Sequence, residues 1–317
     1  MNITENTVAI CMATYNGEKY IAEQIDSIVK QTYTDWLLFI RDDGSKDNTI
    51  EILKKIINEN TDKIVLIEDP DLKGGSSKKN FAAILRWVNE HYKFQYLMFS
   101  DQDDYWLPEK VETAILEVKK IESQKQCPVL VHSDLKVVDA DLNVLGESFW
   151  DYRKLNPDTR DLAHLLVQNN ITGCTMCWNA ELNRLLNISD DAVAMHDWWI
   201  ALVASCFGTI GYIKEPSILY RQHGDNVVGA TKVNSLSFII KRLTGSAHVK
   251  ETLDMSMTQA EAFAAYYQEM LTAEQRKVIA RFADLKHRNK IRKIVSIFKN
   301  GYLKQGAVQV IGEVMFI

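Results

Sequence analysis

No stretch of this chain is long and apolar enough to cross a membrane. The least polar run, Trp198 to Ile213, is interrupted by Ser205, Gly208, Thr209 and Gly211, whereas a span needs about 20 apolar residues. It reads instead as a buried helix and a following strand. The first residues, Met1-Asn-Ile-Thr-Glu-Asn-Thr7, lack the basic segment and apolar core of a secretory leader. Cysteine is sparse and odd in number: Cys11, Cys127, Cys174, Cys177 and Cys206 lie in apolar stretches, which argues against a disulfide framework and for reduced thiols in a core. Cys174-Thr-Met-Cys177 has C-x-x-C spacing, but without a second pair or paired histidines it reads as packing. A net charge of −5 gives no reason to expect nucleic acid as a partner. Repeats and low-complexity segments are lacking too, and 46% hydrophobic with 25% charged residues is ordinary for a globular protein. These features point to a cytoplasmic protein that is not integral to a membrane.

What is present is an alternation of strand and helix periods. Thr7–Met12 predicts a strand and the segment from about Gly17, with Ile21, Ile25 and Ile28, a helix. Trp36–Ile40 is the next strand, and Asp47 or Asn48 caps a helix carrying Ile50, Leu53 and Ile57. Lys63–Ile67, Ser77–Asn89 and Tyr96–Ser100 follow as strand, helix and strand. Pro108 then opens a helix with Val111, Ile115 and Val118 in register. Repeated βα units imply an α/β fold with a mainly parallel sheet covered on both faces. Val129–Val138 reads as one longer strand, with helices near Leu162–Val167 and Trp198–Cys206. After about Ala230 the chain reads as helical, so a boundary is expected there: 1–229 and 230–317.

Open α/β sheets bind ligands beyond the carboxyl ends of their strands, and polar clusters fall there. They are Thr14-Tyr-Asn16, Asp42-Asp-Gly-Ser45 and Asp101-Gln-Asp-Asp104. Asp101-Gln102-Asp103 closes a strand and can hold Mn2+ or Mg2+ through one or two carboxylates. Phosphate oxygens and water would fill the other positions, neutralising a diphosphate leaving group. Asp42 and Asp43 can accept the imide N–H of uracil or thymine, or can accept backbone N–H groups of a Gly-Ser turn; one Asp can serve each role.

Ala13-Thr-Tyr-Asn-Gly17, Arg41-Asp-Asp-Gly-Ser-Lys-Asp-Asn-Thr49, Lys79-Asn80 and Ser100-Asp-Gln-Asp-Asp-Tyr-Trp106 resemble, in order and spacing, the motifs of family 2 glycosyltransferases with the GT-A fold. The resemblance covers about residues 7–225. With His196-Asp-Trp-Trp199 and Tyr220-Arg-Gln-His-Gly-Asp-Asn226 it comes nearer to bacterial rhamnosyltransferases of cell-wall and capsular polysaccharide assembly. It implies that Thr14, Tyr15, Asn16, Asp42, Asp43, Asn80, Asp101 and Gln102 bind the nucleotide-sugar. Asp103, with Asp101 and His223, would hold the metal, and Asp197 would be the general base. His196 stands where the family usually has Glu, a departure shared with the rhamnosyltransferase-like subgroup. The implied reaction is inverting transfer of L-rhamnose from dTDP-L-rhamnose to a hydroxyl of a lipid-linked glycan. A UDP-sugar donor and a catalytically silent sugar-nucleotide-binding protein are the alternatives. A processive synthase is disfavoured because the only Arg-Trp, Arg86-Trp87, precedes the D-x-D and lacks Gln three residues ahead of the Arg. A nucleotidyltransferase would carry a Gly-rich loop after the first strand, and Ala-Thr-Tyr-Asn-Gly-Glu is not one.

Charge is uneven. Between Arg276 and Lys304 ten basic residues minus one acidic, Asp284, give +9. Ile291, Ile294, Val295 and Phe298 form one apolar stripe beside them. This basic amphipathic segment suits contact with the inner face of an anionic membrane, or a homo-oligomer interface; packing on the chain's own catalytic domain is the remaining reading.

Overall fold

The computed structural model describes residues 3–59, 62–69, 74–188, 191–223 and 246–317. In chain order the elements begin β1 (Val8–Thr14), α1 (Ile21–Val29), β2 (Trp36–Asp42), α2 (Thr49–Glu59), β3 (Ile64–Leu66), α3 (Ser77–His91) and β4 (Tyr96–Ser100). They continue β5 (Tyr105–Trp106), α4 (Lys110–Gln124), β6 (Val129–Ser133), β7 (Lys136–Val138), β8 (Val144–Gly146), α5 (Phe149–Arg153), α6 (Leu162–Val167), β9 (Cys177–Asn179) and α7 (Ala180–Asn183). The last are α8 (His196–Phe207), β10 (Thr209–Ile213), β11 (Ile218–Arg221), α9 (Ser246–Tyr266), α10 (Ala273–Ala283), α11 (Lys290–Asn300) and α12 (Ala307–Phe316).

Two compact units result. One comprises Met1–Ser148, Thr172–Ser189 and Gly208–Gly229; the other comprises Phe149–Ile171, Asp190–Phe207 and Ala230–Ile317. The boundary expected near 230 lies outside the described residues. The division differs from a single cut there because α6 and α8 pack on each other, and α6 also packs on α9 and α10.

The first unit is a GT-A α/β fold with helices on both faces of a seven-stranded sheet, ordered β10-β6-β9-β4-β1-β2-β3. β3, β2, β1 and β4 are mutually parallel, and β9 runs antiparallel to both β4 and β6. The central strands are apolar along their length, as burial on two faces requires: Val8–Met12 and Leu38–Ile40 are fully buried. Phe99 ties helix to sheet, its ring 4.8 Å from Phe81 and 4.7 Å from Trp178. Val111, Ile115 and Val118 of α4 are buried as their spacing predicts. Asp47 Oδ1 accepts the Thr49 N–H at 3.1 Å, the cap expected before α2.

Val129–Val138 is not one strand. It breaks at Asp134 into β6, which pairs with β10 and β9, and β7, which joins a second sheet of order β5-β11-β7-β8. The cause is local: Asp134 Oδ1 accepts the Leu135 N–H at 2.8 Å, while the Asp134 N–H donates to Ile213 O and its C=O accepts from Ser217. Apolar flanks favour one continuous strand in the sequence, although His132, Ser133 and Asp134 between them are polar.

Among the described residues of the second unit every regular element is a helix. α8 is apolar nearly all round, with Trp198 to Ala204 buried, the pattern of a helix enclosed by others. Trp199 packs 5.1 Å from Phe263, which lies 4.7 Å from Tyr267. Among the described residues no helix is long and apolar enough to cross a membrane.

Candidate active site

Strand register determines what meets at the sheet edge. Thr14 lies beside Asp42 across β1 and β2, and Met12 beside Ser100 across β1 and β4. The three polar clusters therefore leave the sheet together, within one unit. The side chains then bond to one another. Asp42 accepts the Thr14 hydroxyl at 2.8 Å through Oδ1, and the Gly44 and Ser45 N–H groups at 2.9 and 2.7 Å through Oδ2. Gly44, at φ +86°, supplies the left-handed residue this turn needs. Asp43 bridges Arg41 at 3.0 Å and the Gly75 N–H at 2.6 Å. Asp42 thus holds the Gly44-Ser45 turn, and Asp43 ties Arg41 to Gly75. Asn80, buried on α3, accepts from Arg41 at 2.7 Å and donates to Thr14 O at 3.3 Å and Arg41 O at 3.2 Å.

Gln102 does for Tyr15 what a β partner would. Its Oε1 accepts the Tyr15 N–H at 2.9 Å and its Nε2 donates to Tyr15 O at 3.0 Å. A Cβ at Gly17 would stand 2.4 Å from that Oε1, so any side chain there would push the Gln102 carboxamide off Tyr15. Asn16, at φ +49°, takes Ser45 Oγ on its N–H at 2.7 Å and offers Oδ1 to the Lys46 N–H at 2.9 Å. The Tyr15 ring stays half exposed.

The residues expected to hold a metal divide into two neighbouring groups. Asp103 and His223 meet directly, Oδ2 to Nε2 at 2.8 Å, both mostly buried. The ligand atoms of Asp101, Asp104 and Cys174 lie within 4.8 Å of one another. Asp104 is wholly buried, and burial, then the charges of Asp103 and Asp101, push its carboxyl well above the ordinary range. The Cys174 thiol bonds to it and is itself raised, chiefly by burial. A protonated thiol is a poor partner for a hard cation, whereas the half-buried carboxylates of Asp101 and Asp103 with the His223 imidazole form a suitable donor set. Gly224, Asp225 and Asn226 of the same motif lie outside the described residues.

Arg221 was quoted within a motif but given no role by the sequence, and it is the strut of this edge. Only 2% exposed, it donates from Nε to Asp103 O at 2.8 Å, from NH1 to Ala140 O and from NH2 to Glu23. Its guanidinium lies 4.4 Å from the Tyr20 ring centroid, and its N–H donates to Asp104 Oδ1 at 3.2 Å. A charged residue ending the buried strand Ile218-Leu-Tyr-Arg221 was the available signal. Tyr20 also lies 5.0 Å from the His223 ring.

In the second unit, Asp197 stands in the first turn of α8, its Oδ1 accepting the Trp198 N–H at 2.6 Å. His196 beside it is buried, and desolvation drives its imidazole down to about 3, so it is neutral at physiological pH.

The sequence profile described as Glycosyl transferase family 2 matches residues 9–180, more than half the chain and all three clusters of the sheet edge. The chain belongs to that family. Among curated relatives, the dTDP-rhamnosyl transferase RfbG of Shigella flexneri is 32% identical over 234 residues, 69% of this chain and 74% of that one. The Escherichia coli enzyme WfgD, a UDP-Glc:alpha-D-GlcNAc-diphosphoundecaprenol beta-1,3-glucosyltransferase, is 34% identical over 108 residues, 34% of this chain and 39% of its own. Of solved structures, S. aureus TarS 1–349 in complex with UDP-GlcNAc superposes with a TM-score of 0.52 at 15% identity, covering 94% of this chain and 93% of that one. That likeness establishes the GT-A fold of this family 2 glycosyltransferase.

Proposed function

We propose that this glycosyltransferase moves L-rhamnose from dTDP-L-rhamnose to a hydroxyl of a lipid-linked glycan, with inversion, using Mn2+ or Mg2+. The observation that carries the metal reading is the Asp103–His223 pair at 2.8 Å, with Asp101 two residues earlier in the chain. The rhamnosyl donor is supported by the 32% identity to RfbG, and the lipid-linked acceptor by the activity of WfgD on a diphosphoundecaprenol-linked sugar.

Asp101, Asp103 and His223 would hold the cation, which when bound offsets charge on the departing diphosphate. The protein's own part begins with the pocket. Thr14, Asn16, Asp42, Asp43, Asn80 and Gln102 hold two loops in fixed register, so the nucleotide meets a preformed surface with the Tyr15 ring exposed on it. Asp197 takes the acceptor hydroxyl's proton as the glycosidic bond forms, because that hydroxyl is far too weak an acid to ionise unaided. His196, beside Asp197, is neutral and adds no charge to the base. One base with no carboxylate nucleophile accords with inversion without a covalent intermediate.

The test is transfer by purified protein to a diphospholipid-linked sugar, with dTDP-rhamnose and UDP-glucose offered in parallel, with and without EDTA. Rhamnosyl transfer abolished by EDTA and restored by Mn2+ is expected. Preference for UDP-glucose would replace the donor assignment, undiminished activity in EDTA would remove the metal, and donor binding without transfer or hydrolysis would favour a silent binding protein.

A further inference from the structure

The stripe formed by Ile291, Val295 and Phe298 faces away from the protein. These three side chains are 76%, 59% and 56% exposed, while Ser296 and Ile297 are the buried residues of α11. At about 100° per residue, Ser296 and Ile297 centre the packed face, and Ile291, Val295 and Phe298 cluster on the opposite side. The helix thus turns Ser296 and Ile297 inward and three of its large apolar residues outward. Among the described residues the stripe is therefore not packed on the chain itself. Its Asn289 N-cap and its Gly301 C-cap, at φ +72°, are both formed, so the rotation belongs to a completed helix.

The surroundings identify what such a face would meet. α11 carries Lys290, Arg292, Lys293 and Lys299 and no acidic residue; Lys290, Arg292 and Lys299 are exposed. Arg292 and Lys299 follow the stripe around the helix on one flank. Lys290 Nζ also donates to Met315 O at 2.6 Å, which brings the end of α12 beside the start of α11. There Ile311 and Met315, one turn apart, add two more exposed apolar side chains. A second copy applied by two-fold symmetry would bring these cationic rims together with no acid on the helix to offset them. An anionic bilayer instead offers phosphates to the basic flank and acyl chains to the apolar crest.

We propose that α11, with the adjoining exposed residues of α12, is a membrane-surface anchor that seats Ile291, Val295 and Phe298 in the interface of an anionic lipid leaflet. The anchoring does not depend on which sugar is moved or whether a metal is used.

Co-sedimentation of the full chain with vesicles tests it. One vesicle set is phosphatidylcholine; the other contains about 30% phosphatidylglycerol, and each is run at about 50 mM and about 500 mM NaCl. Binding to the anionic vesicles at low salt is expected, weakened at least about tenfold by the neutral lipid or by high salt. The triple substitution Ile291→Ser, Val295→Ser, Phe298→Ser, and separately Arg292→Glu with Lys299→Glu, should each weaken binding about tenfold or more. All five side chains are exposed, so circular dichroism and melting temperature serve as the folding control. A native chain left in the supernatant with anionic vesicles at low salt overturns the proposal, as does a triple variant that binds like the native chain. A native dimer in sedimentation velocity that the triple variant converts to monomer, without vesicle binding, assigns the face to a second copy instead.

Discussion

The two units solve the problem of presenting polar chemistry in different ways. In the first, functional side chains gather at the ends of parallel strands and are held by bonds to backbone groups of neighbouring segments, as Gln102 holds Tyr15 and Asn80, from α3, holds Thr14 and Arg41. In the second, Asp197 rides on the first turn of a helix whose buried face packs Trp199 against Phe263, and its Oδ1 accepts its neighbour's N–H. A network can place a side chain to within a hydrogen bond's tolerance, but losing a member leaves buried groups without partners. A helix turn takes its position from the packing of the whole helix, here through Trp199, Phe263 and Tyr267.

Substitutions can break this contrast. The largest effect should come from the reacting groups. Asp197→Asn keeps shape but cannot take a proton, so kcat should fall by roughly 10²–10⁴ with donor affinity nearly unchanged. Asp103→Ala should instead abolish metal-supported transfer together with the stabilisation that Mn2+ gives to bound nucleotide in a thermal-shift assay. If Asp197→Asn also weakens donor binding tenfold, the division of labour between the units fails.

Next comes the strut. Arg221→Leu strips the buried carbonyls of Asp103 and Ala140 of a donor, and should cost about 3–5 kcal/mol in urea unfolding. A loss under about 1 kcal/mol would mean that water replaces the guanidinium there.

The third effect is set by pH. His196 titrates near 3 when folded and near 6.5 otherwise, so the unfolded chain binds the extra proton and stability falls as pH drops below 6.5. At pH 5 the loss relative to pH 7 should be about 2 kcal/mol. Melting curves of native protein and His196→Asn should show that slope in the first and its absence in the second. Parallel slopes would locate the acid sensitivity elsewhere.

The smallest effect tests a helix end remote from the chemistry. Thr272 and Gln275 form a capping box before α10, and Thr272→Ala should cost about 1 kcal/mol with kcat unchanged.

The same contrast governs what could be read beforehand. The parallel strands and the positions of Thr14, Asp42 and Asp101 were legible because apolar runs end abruptly in polar clusters, and those ends must lie at one edge. What the polar groups do once there was not. Asp42 holds a turn, Asp43 ties Arg41 to Gly75, and Asp104 and Cys174, outside any predicted ligand set, share the space behind Asp101. These pairings join residues up to about 70 positions apart, which no local period encodes. Arg221 escaped assignment for the same reason: its partners Glu23, Asp103 and Ala140 come from three separate parts of the chain. In the helical part, the stripe of α11 was legible as a stripe, but periodicity does not say which side of a helix faces inward. The break at Asp134 was concealed because the apolar flanks on either side of it favour one strand.

The path of the chain between the units has a consequence for how the protein is made. α6 and α8 emerge from the ribosome long before α9 and α10, on which α6 packs and whose neighbour residues Phe263 and Tyr267 enclose Trp199. Meanwhile β10, which lies beyond α8 in sequence, must come back to pair with β6 and close the sheet edge. During synthesis the apolar sides of α6 and α8 are therefore displayed while their partners are still being translated, a long-range closure of the kind that slows folding. A chain stopped near residue 230 would keep those exposed surfaces permanently, and should be recovered as aggregate rather than as a smaller enzyme.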